Sequence, residues 1–228
     1  FTQNRLRLES LLEYEPITDN QKLACDYWDD GFNLVLSGSA GTGKTFIAFN
    51  LALEDVLDKE TVQEKLIVIR SIVPTRDIGY LPGDEDEKKR AYTNPYIGIC
   101  QEILGATDAW EKLLESKKVY FESTSFIRGT TFNDAVILVD EMQNLNFHEL
   151  DSVITRIGRN CRIILCGDYY QSDFDKDSYK KEKSGINEFM EIAAHMPRFE
   201  IVNFTWKDIV RSGLVRDYLM TKEMLNIK

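Results

Sequence analysis

The 228-residue sequence predicts an α/β protein with a central, mainly parallel sheet and helices on both faces, and three observations carry that prediction. From Leu34 onward, short β-branched or leucine-rich runs alternate with longer amphipathic stretches, the pattern of strands joined by crossover helices. Two runs, Ala135 to Val139 and Arg162 to Cys166, are continuously apolar rather than alternating, as central strands covered on both faces must be. A glycine-rich loop, Gly38 to Thr45, stands between the first run and a helical pattern.

Taken in order, Thr18-Asp-Asn-Gln21 fits a capping box ahead of Leu23, Ala24, Tyr27 and Trp28 at helical spacing. Asn33 to Leu36 is the first strand, and Phe46, Ile47, Phe49, Asn50 and Leu51 lie in the helix after the loop. Leu66 to Arg70 and Val119 to Glu122 are the next strands. Between them, Ser71 to Arg90 holds Pro74, Gly79, Pro82, Gly83 and the acidic run Asp84 to Glu87, and reads as a long loop, functional or mobile. After the strand Ala135 to Val139, Asn146 caps a helix carrying Phe147, Leu150, Val153, Ile154 and Ile157, which Gly158 is expected to end. Arg162 to Cys166 and Glu200 to Asn203 complete six strands, and Ile209, Leu214, Val215, Tyr218 and Leu219 mark a terminal helix.

Composition narrows the class. An apolar share of 43% supports a packed core, which excludes a disordered or fibrous chain. One domain over residues 1–228 is the expected organisation. The longest apolar run, Ala135 to Val139, is far short of the ~20 residues that span a bilayer, so no membrane association is expected. The chain opens on Phe1, so its start reads as trimmed, and the first residues lack a secretory pattern. Cys25, Cys100, Cys161 and Cys166 match no zinc spacing, and a reducing cytoplasm is the expected location. The charge balance is 28 − 38 = −10, so nucleic acid binding needs a local basic patch or a surface made by assembly.

Gly38-Ser39-Ala40-Gly41-Thr42-Gly43-Lys44-Thr45 satisfies G-x-x-x-x-G-K-[ST] between a strand and a helix. Glycines let backbone N–H groups curl round a β-phosphate, and the helix start adds partial positive charge. Lys44 is expected to bridge β- and γ-phosphate oxygens of ATP, and the Thr45 hydroxyl to hold Mg²⁺. A second element ends an apolar strand in two carboxylates. Asp140 is placed in the Mg²⁺ shell, and Glu141 is placed to orient and deprotonate the attacking water. A third, Gly167-Asp168-Tyr-Tyr-Gln171, puts a glutamine amide where it can sense the γ-phosphate. The Gln21 amide suits the N6/N7 edge of adenine or completes the capping box, and the two roles can coexist. Water activation by this set fits better than phosphoryl transfer to a small-molecule acceptor.

These residues resemble a known family. The phosphate loop, Asp140-Glu141-Met-Gln143 and Gly167 to Gln171 look like motifs I, II and III of superfamily 1 helicases, with Gln21 at the place of their Q motif. Closer still is the PhoH family, including its short phage forms. The further matches are Arg70 to Pro74, Ile78 to Asp84, Ile127 to Phe132, Asp140 to Asn144, Thr155 to Gly158 and Asp208 to Val215. The resemblance implies a RecA-like P-loop ATPase core with ATP and Mg²⁺ as ligands, and a link to RNA unwinding or processing and to phosphate starvation. Thr130 stands where the family's Arg-Gly-Arg-Thr pattern has its second arginine, which leaves that arginine's role unfilled.

Superfamily 1 helicases use two RecA-like lobes, whereas six strands in 228 residues make one, expected as an ATPase core alone. The missing arginine is then expected from a neighbouring copy in a homo-oligomeric ring, a hexamer being one closed form. Arg211 is the first candidate for that finger, with Arg216, Arg156 and Arg159 behind it. For single-stranded RNA or DNA the expected contacts are Arg70, Arg76 and Lys88-Lys-Arg90 for charge and Tyr80, Tyr92 and Tyr96 for stacking. The basic run 88–90 equally reads as an answer to the acidic run 84–87 on a solvated surface. The alternative to nucleic acid remodelling is a nucleotide-dependent switch that acts on protein.

Overall fold

In the computed structural model the described residues are 6–71, 85–124, 127, 129–168, 185–210 and 213–225, with backbone alone for 85–91 and 223. Six strands form one sheet: β1 (Asn33–Gly38), β2 (Lys65–Arg70), β3 (Val119–Ser123), β4 (Ala135–Val139), β5 (Arg162–Gly167) and β6 (Phe199–Phe204). Their order is β3-β2-β4-β5-β1-β6, and every neighbouring pair is parallel. All six therefore end on one edge, where open parallel sheets carry their ligands. The order separates β1 from β4 by β5 alone.

The continuous apolar runs are explained by the two faces of the sheet. Side chains alternate along a strand, so Leu34, Leu36, Val136, Leu138 and Ile164 face one core and Val35, Ile137, Val139, Ile163 and Leu165 face the other. The first core is closed by α1 (Asp19–Asp29), α2 (Lys44–Leu57), α3 (Glu85–Leu104) and α4 (Ala109–Glu115). The second is closed by α5 (Phe147–Ile154) and α6 (Ile186–His195). A final helix, α7 (Gly213–Met224), exposes Leu214, Tyr218 and Met224. Among the described residues no helix is long and apolar enough to cross a membrane.

Several expectations shift. Residues 85–90 begin α3 rather than ending a loop. Helix α5 stops at Ile154, four residues before Gly158. Gly158 is needed for packing instead, since a Cβ there would lie 2.5 Å from the Phe132 carbonyl oxygen. The capping box at Thr18 is half realised: its hydroxyl accepts from the Gln21 N–H at 3.3 Å, while the Gln21 side chain turns elsewhere.

Candidate functional site

A cleft of about 640 Å³ opens at the carboxyl ends of β1, β4 and β5, and Gln21, Gly41, Gly43, Lys44, Thr45, Asp140, Glu141 and Asp168 help to line it. The chain leaves β1 through Gly38 at φ +145°, where a Cβ would run into the Phe204 carbonyl oxygen of β6. Only glycine fits so close a backbone approach. At the other end Gly43, at φ +81°, caps α2, and its carbonyl accepts the first helical bond from Ile47 at 3.0 Å.

Within the loop, Lys44 Nζ donates to the Ser39 carbonyl at 2.6 Å and to Thr42 Oγ1 at 3.2 Å. The Thr42 hydroxyl in turn donates to Ser39 O at 2.9 Å, while exposed Ala40 stands at the turn. Burial lowers the Lys44 pKa, against the pull of the surrounding acids Asp168, Glu141 and Asp140. A buried ammonium ringed by carboxylates and held on a loop carbonyl is a cation ready for an anionic ligand.

Across the cleft, the Thr45 hydroxyl donates to Asp140 Oδ1 at 3.0 Å, joining residues 95 positions apart. Asp140 is 5% exposed, and its other oxygen accepts from the Tyr96 hydroxyl at 2.9 Å. Burial and then the adjacent Glu141 raise its pKa, against the hydrogen bonds from Tyr96 and Thr45. A hydroxyl and a buried carboxylate side by side suit a hard divalent cation that also takes phosphate oxygens. No group of three or more His, Cys, Asp or Glu side chains able to hold a metal occurs among the described residues, so a metal here would need the nucleotide's oxygens.

Glu141 adopts φ +52°, a left-handed conformation that is strained for a residue with a side chain. Its carboxylate is held by Gln143, whose Nε2 donates to Glu141 Oε2 at 2.5 Å and whose Oε1 accepts from the Asp168 N–H at 3.0 Å. One amide thus ties the β4 end to the β5 end. Its room is made by Gly167, where a Cβ would lie 2.5 Å from Gln143 Oε1.

At the far wall, Gln21 is 2% exposed and its Oε1 accepts twice, from the Ile17 N–H at 2.8 Å and from the Tyr14 hydroxyl at 2.8 Å. A backbone N–H can only donate, which fixes the amide orientation and points Nε2 toward Gly43. Gln21 therefore offers the cleft a donor and no free acceptor. Tyr14 packs against Phe46 at a centroid distance of 5.2 Å, and burial followed by Cys25 pushes its hydroxyl up to about 12.

Other expected residues are not gathered here. Gln171, Arg211, Arg76, Tyr80 and the side chains of 88–90 lie outside the described residues. Val210, next to Arg211, does line the cleft. Arg156 donates to the carbonyls of Ile127 and Ser152, each at 2.8 Å, Arg159 lies 3.5 Å from Asp134, and Arg216 stacks 5.7 Å over Trp206. Tyr96 corrects the expected nucleic acid set: it is 0% exposed, wedged between Phe49, Trp110 and Phe121, and has no face to offer a base. Arg70 is half-buried, its side chain hydrogen-bonded to Tyr96 and 5.9 Å from the Tyr92 ring. Burial works against its charge, yet Tyr96, Asp140 and Glu141 outweigh it and raise its pKa. Tyr14, Tyr96 and the role of Gln143 carry no spacing signal and emerge from the fold.

Comparison with known proteins addresses the family and the fold. The large terminase of a thermophilic bacteriophage, solved in complex with ADP, superposes with a TM-score of 0.50 at 13% identity, over 90% of this chain and 50% of that one. That likeness is one of fold, a RecA-like α/β domain. Protein PhoH2 of Bacillus subtilis is 37% identical over 144 residues, covering 61% of this chain and 32% of that protein. Protein PhoH of Escherichia coli is 33% identical over 180 residues, 78% of this chain and 49% of that one. The PhoH-like protein of Mycobacterium leprae is 29% identical over 203 residues, 89% of this chain and 56% of the relative. The chain thus spans about half the length, or less, of these relatives. Residues 13–222 match the family described as PhoH-like protein, and with so much of the sequence aligned, the chain belongs to that family.

Proposed function

We propose that this chain binds ATP with Mg²⁺, hydrolyses it, and couples turnover to the remodelling of single-stranded RNA or DNA as a homo-oligomeric ring. The observation that carries the nucleotide reading is the 3.0 Å contact between Thr45 and Asp140, which brings the hydroxyl of the phosphate loop to the buried carboxylate of β4. Lys44 would leave Ser39 O for β- and γ-phosphate oxygens, and the loop N–H groups from Gly38, Ser39, Ala40, Gly41, Thr42 and Gly43 would enclose the β-phosphate. Thr45 and Asp140 would hold Mg²⁺, which when bound neutralises charge developing on the phosphate oxygens. Glu141, strained and tethered, would accept the proton of the attacking water. Gln171 would report the γ-phosphate. The Gln21 Nε2 would donate to the purine N7.

Phosphate release from ATP with Mg²⁺, with EDTA, and with Lys44→Ala or Glu141→Gln tests hydrolysis directly. Loss of turnover in all three controls is expected. Equal turnover in Glu141→Gln refutes the assigned base. Arg211 is proposed as the finger, so Arg211→Ala removes turnover and leaves ATP binding near wild type. Mixing Arg211→Ala with Glu141→Gln protomers restores activity if the arginine crosses between copies and does not if each chain serves its own cleft.

A second reading, a nucleotide-dependent switch acting on protein, draws support from the burial of Tyr96, which removes one expected nucleic acid contact. Stimulation of ATP turnover by single-stranded RNA or DNA with salt-sensitive binding favours the first reading; absence of both favours the second.

A further inference from the structure

We infer that Tyr96 is a positioning residue for the divalent cation: its hydroxyl fixes the Asp140 carboxylate so that Oδ1 and the Thr45 hydroxyl face one metal position. This rests on the reading of Thr45 and Asp140 as the Mg²⁺ ligands. The two Asp140 oxygens have separate tasks. Oδ1 meets the Thr45 hydroxyl at 3.0 Å at the cleft, and Oδ2 is held from behind by Tyr96 at 2.9 Å. A carboxylate held at one oxygen cannot rotate freely about its last bond, so the other keeps its aim.

Tyr96 is itself immobilised. It is 0% exposed and stacked against Phe49 at 5.3 Å and 21°, with Trp110 at 6.2 Å and Phe121 at 5.9 Å on its other sides. Phe49 lies on α2, the helix that begins at Lys44, so the ring is referenced to the same element that carries Thr45. The Arg70 guanidinium hydrogen-bonds the Tyr96 hydroxyl, which therefore accepts from Arg70 while donating its one proton to Asp140. The order Arg70 to Tyr96 to Asp140 leaves no proton ambiguity. Such outer partners of a metal-binding carboxylate typically change metal affinity about 10–100-fold when removed.

The test is Tyr96→Phe, which keeps the ring in its stack and deletes only the hydroxyl. Mn²⁺ binding to the purified chain with AMP-PNP, followed by electron paramagnetic resonance, is compared with nucleotide affinity in EDTA. The expected result is Mn²⁺ affinity weakened about 10-fold or more, with metal-free nucleotide affinity within about twofold of wild type. Packing alone predicts no such split, so Mn²⁺ affinity equal to wild type overturns the inference. Asp140→Asn is the control: if it binds Mn²⁺ as wild type does, the ligand assignment itself fails, separately from Tyr96. Should Tyr96→Phe not fold, Arg70→Gln decides, with weakened Mn²⁺ binding supporting the relay and unchanged binding refuting it.

Discussion

Replacing Gln143 by leucine tests how much of the chemistry depends on a tether outside the phosphate loop. Gln143 donates to Glu141 at 2.5 Å and accepts from the Asp168 N–H at 3.0 Å, and Glu141 stands in a left-handed conformation at φ +52°. Such a conformation costs a residue with a Cβ roughly 1–2 kcal/mol, so Glu141 relaxes once nothing holds it. A hydrogen bond to a charged group contributes about 1.5–3 kcal/mol, and one decade in rate is about 1.4 kcal/mol. If that bond serves to aim the carboxylate, Gln143→Leu lowers kcat by about 10–100-fold with little change in KM. The Gly167→Ala variant reaches the same tether from outside, because its Cβ would sit 2.5 Å from Gln143 Oε1 and 2.6 Å from Met142 Cγ. Steady-state phosphate release measures both, with fluorescent nucleotide binding as the control. If Gln143→Leu turns over at the wild-type rate, Glu141 is aimed by something else and the argument fails.

Gly38→Ala pushes a Cβ against the Phe204 carbonyl, and chemical denaturation should show a loss of about 1–3 kcal/mol, since both partners are backbone. Because both lone pairs of Gln21 Oε1 are taken and N7 is common to both purines, kcat/KM for ATP and GTP should agree within about fivefold; a preference beyond about 100-fold for ATP shows the amide exchanging partners. The pH dependence follows from groups whose protonated form is favoured on folding. Burial, then Glu111, pushes the Cys100 thiol up from 9.0 to about 12, and Tyr14 rises from 10.0 to about 12. Their contribution to stability is full below pH 9 and declines as pH rises toward 12, because the unfolded chain gives up those protons first. Denaturation midpoints from pH 8 to 11 should fall, and Cys100→Ala should flatten the slope; an unchanged slope excludes Cys100 as a source.

The sheet is legible in the sequence because its strands are short apolar runs, most of them rich in β-branched residues or leucine. Ala135 to Val139 coincides with β4, and Asn33 to Leu36 falls two residues short of β1 only because Ser37 and Gly38 look like loop. Helix α3 is hidden by its own residues: an acidic and basic run opens it and Pro95 interrupts its pattern. The phosphate loop is readable since its chemistry needs fixed spacing, whereas Tyr14 and Tyr96 act from positions that only folding brings near Gln21 and Asp140. Tyr96 misleads for a physical reason, as an aromatic residue among charges reads as a stacking face while its burial comes from contacts 47 and 14 positions away, at Phe49 and Trp110. The Gln21 amide follows the same logic: a capping box and a base contact look alike in sequence, and the Ile17 N–H decides which oxygen contacts are left.

Arg70 closes β2 and Tyr96 lies within α3, so the stretch of chain between them leaves from one partner of a hydrogen-bond chain and returns to another. Both anchor points bear on a single carboxylate. A ligand that displaces Arg70 or Tyr96 must therefore do work on Asp140. By linkage, the factor by which such a ligand alters nucleotide affinity is the factor by which nucleotide alters the ligand's own. A displacement of Arg70 or of Tyr96 is thus passed to the Asp140 carboxylate through one buried hydroxyl.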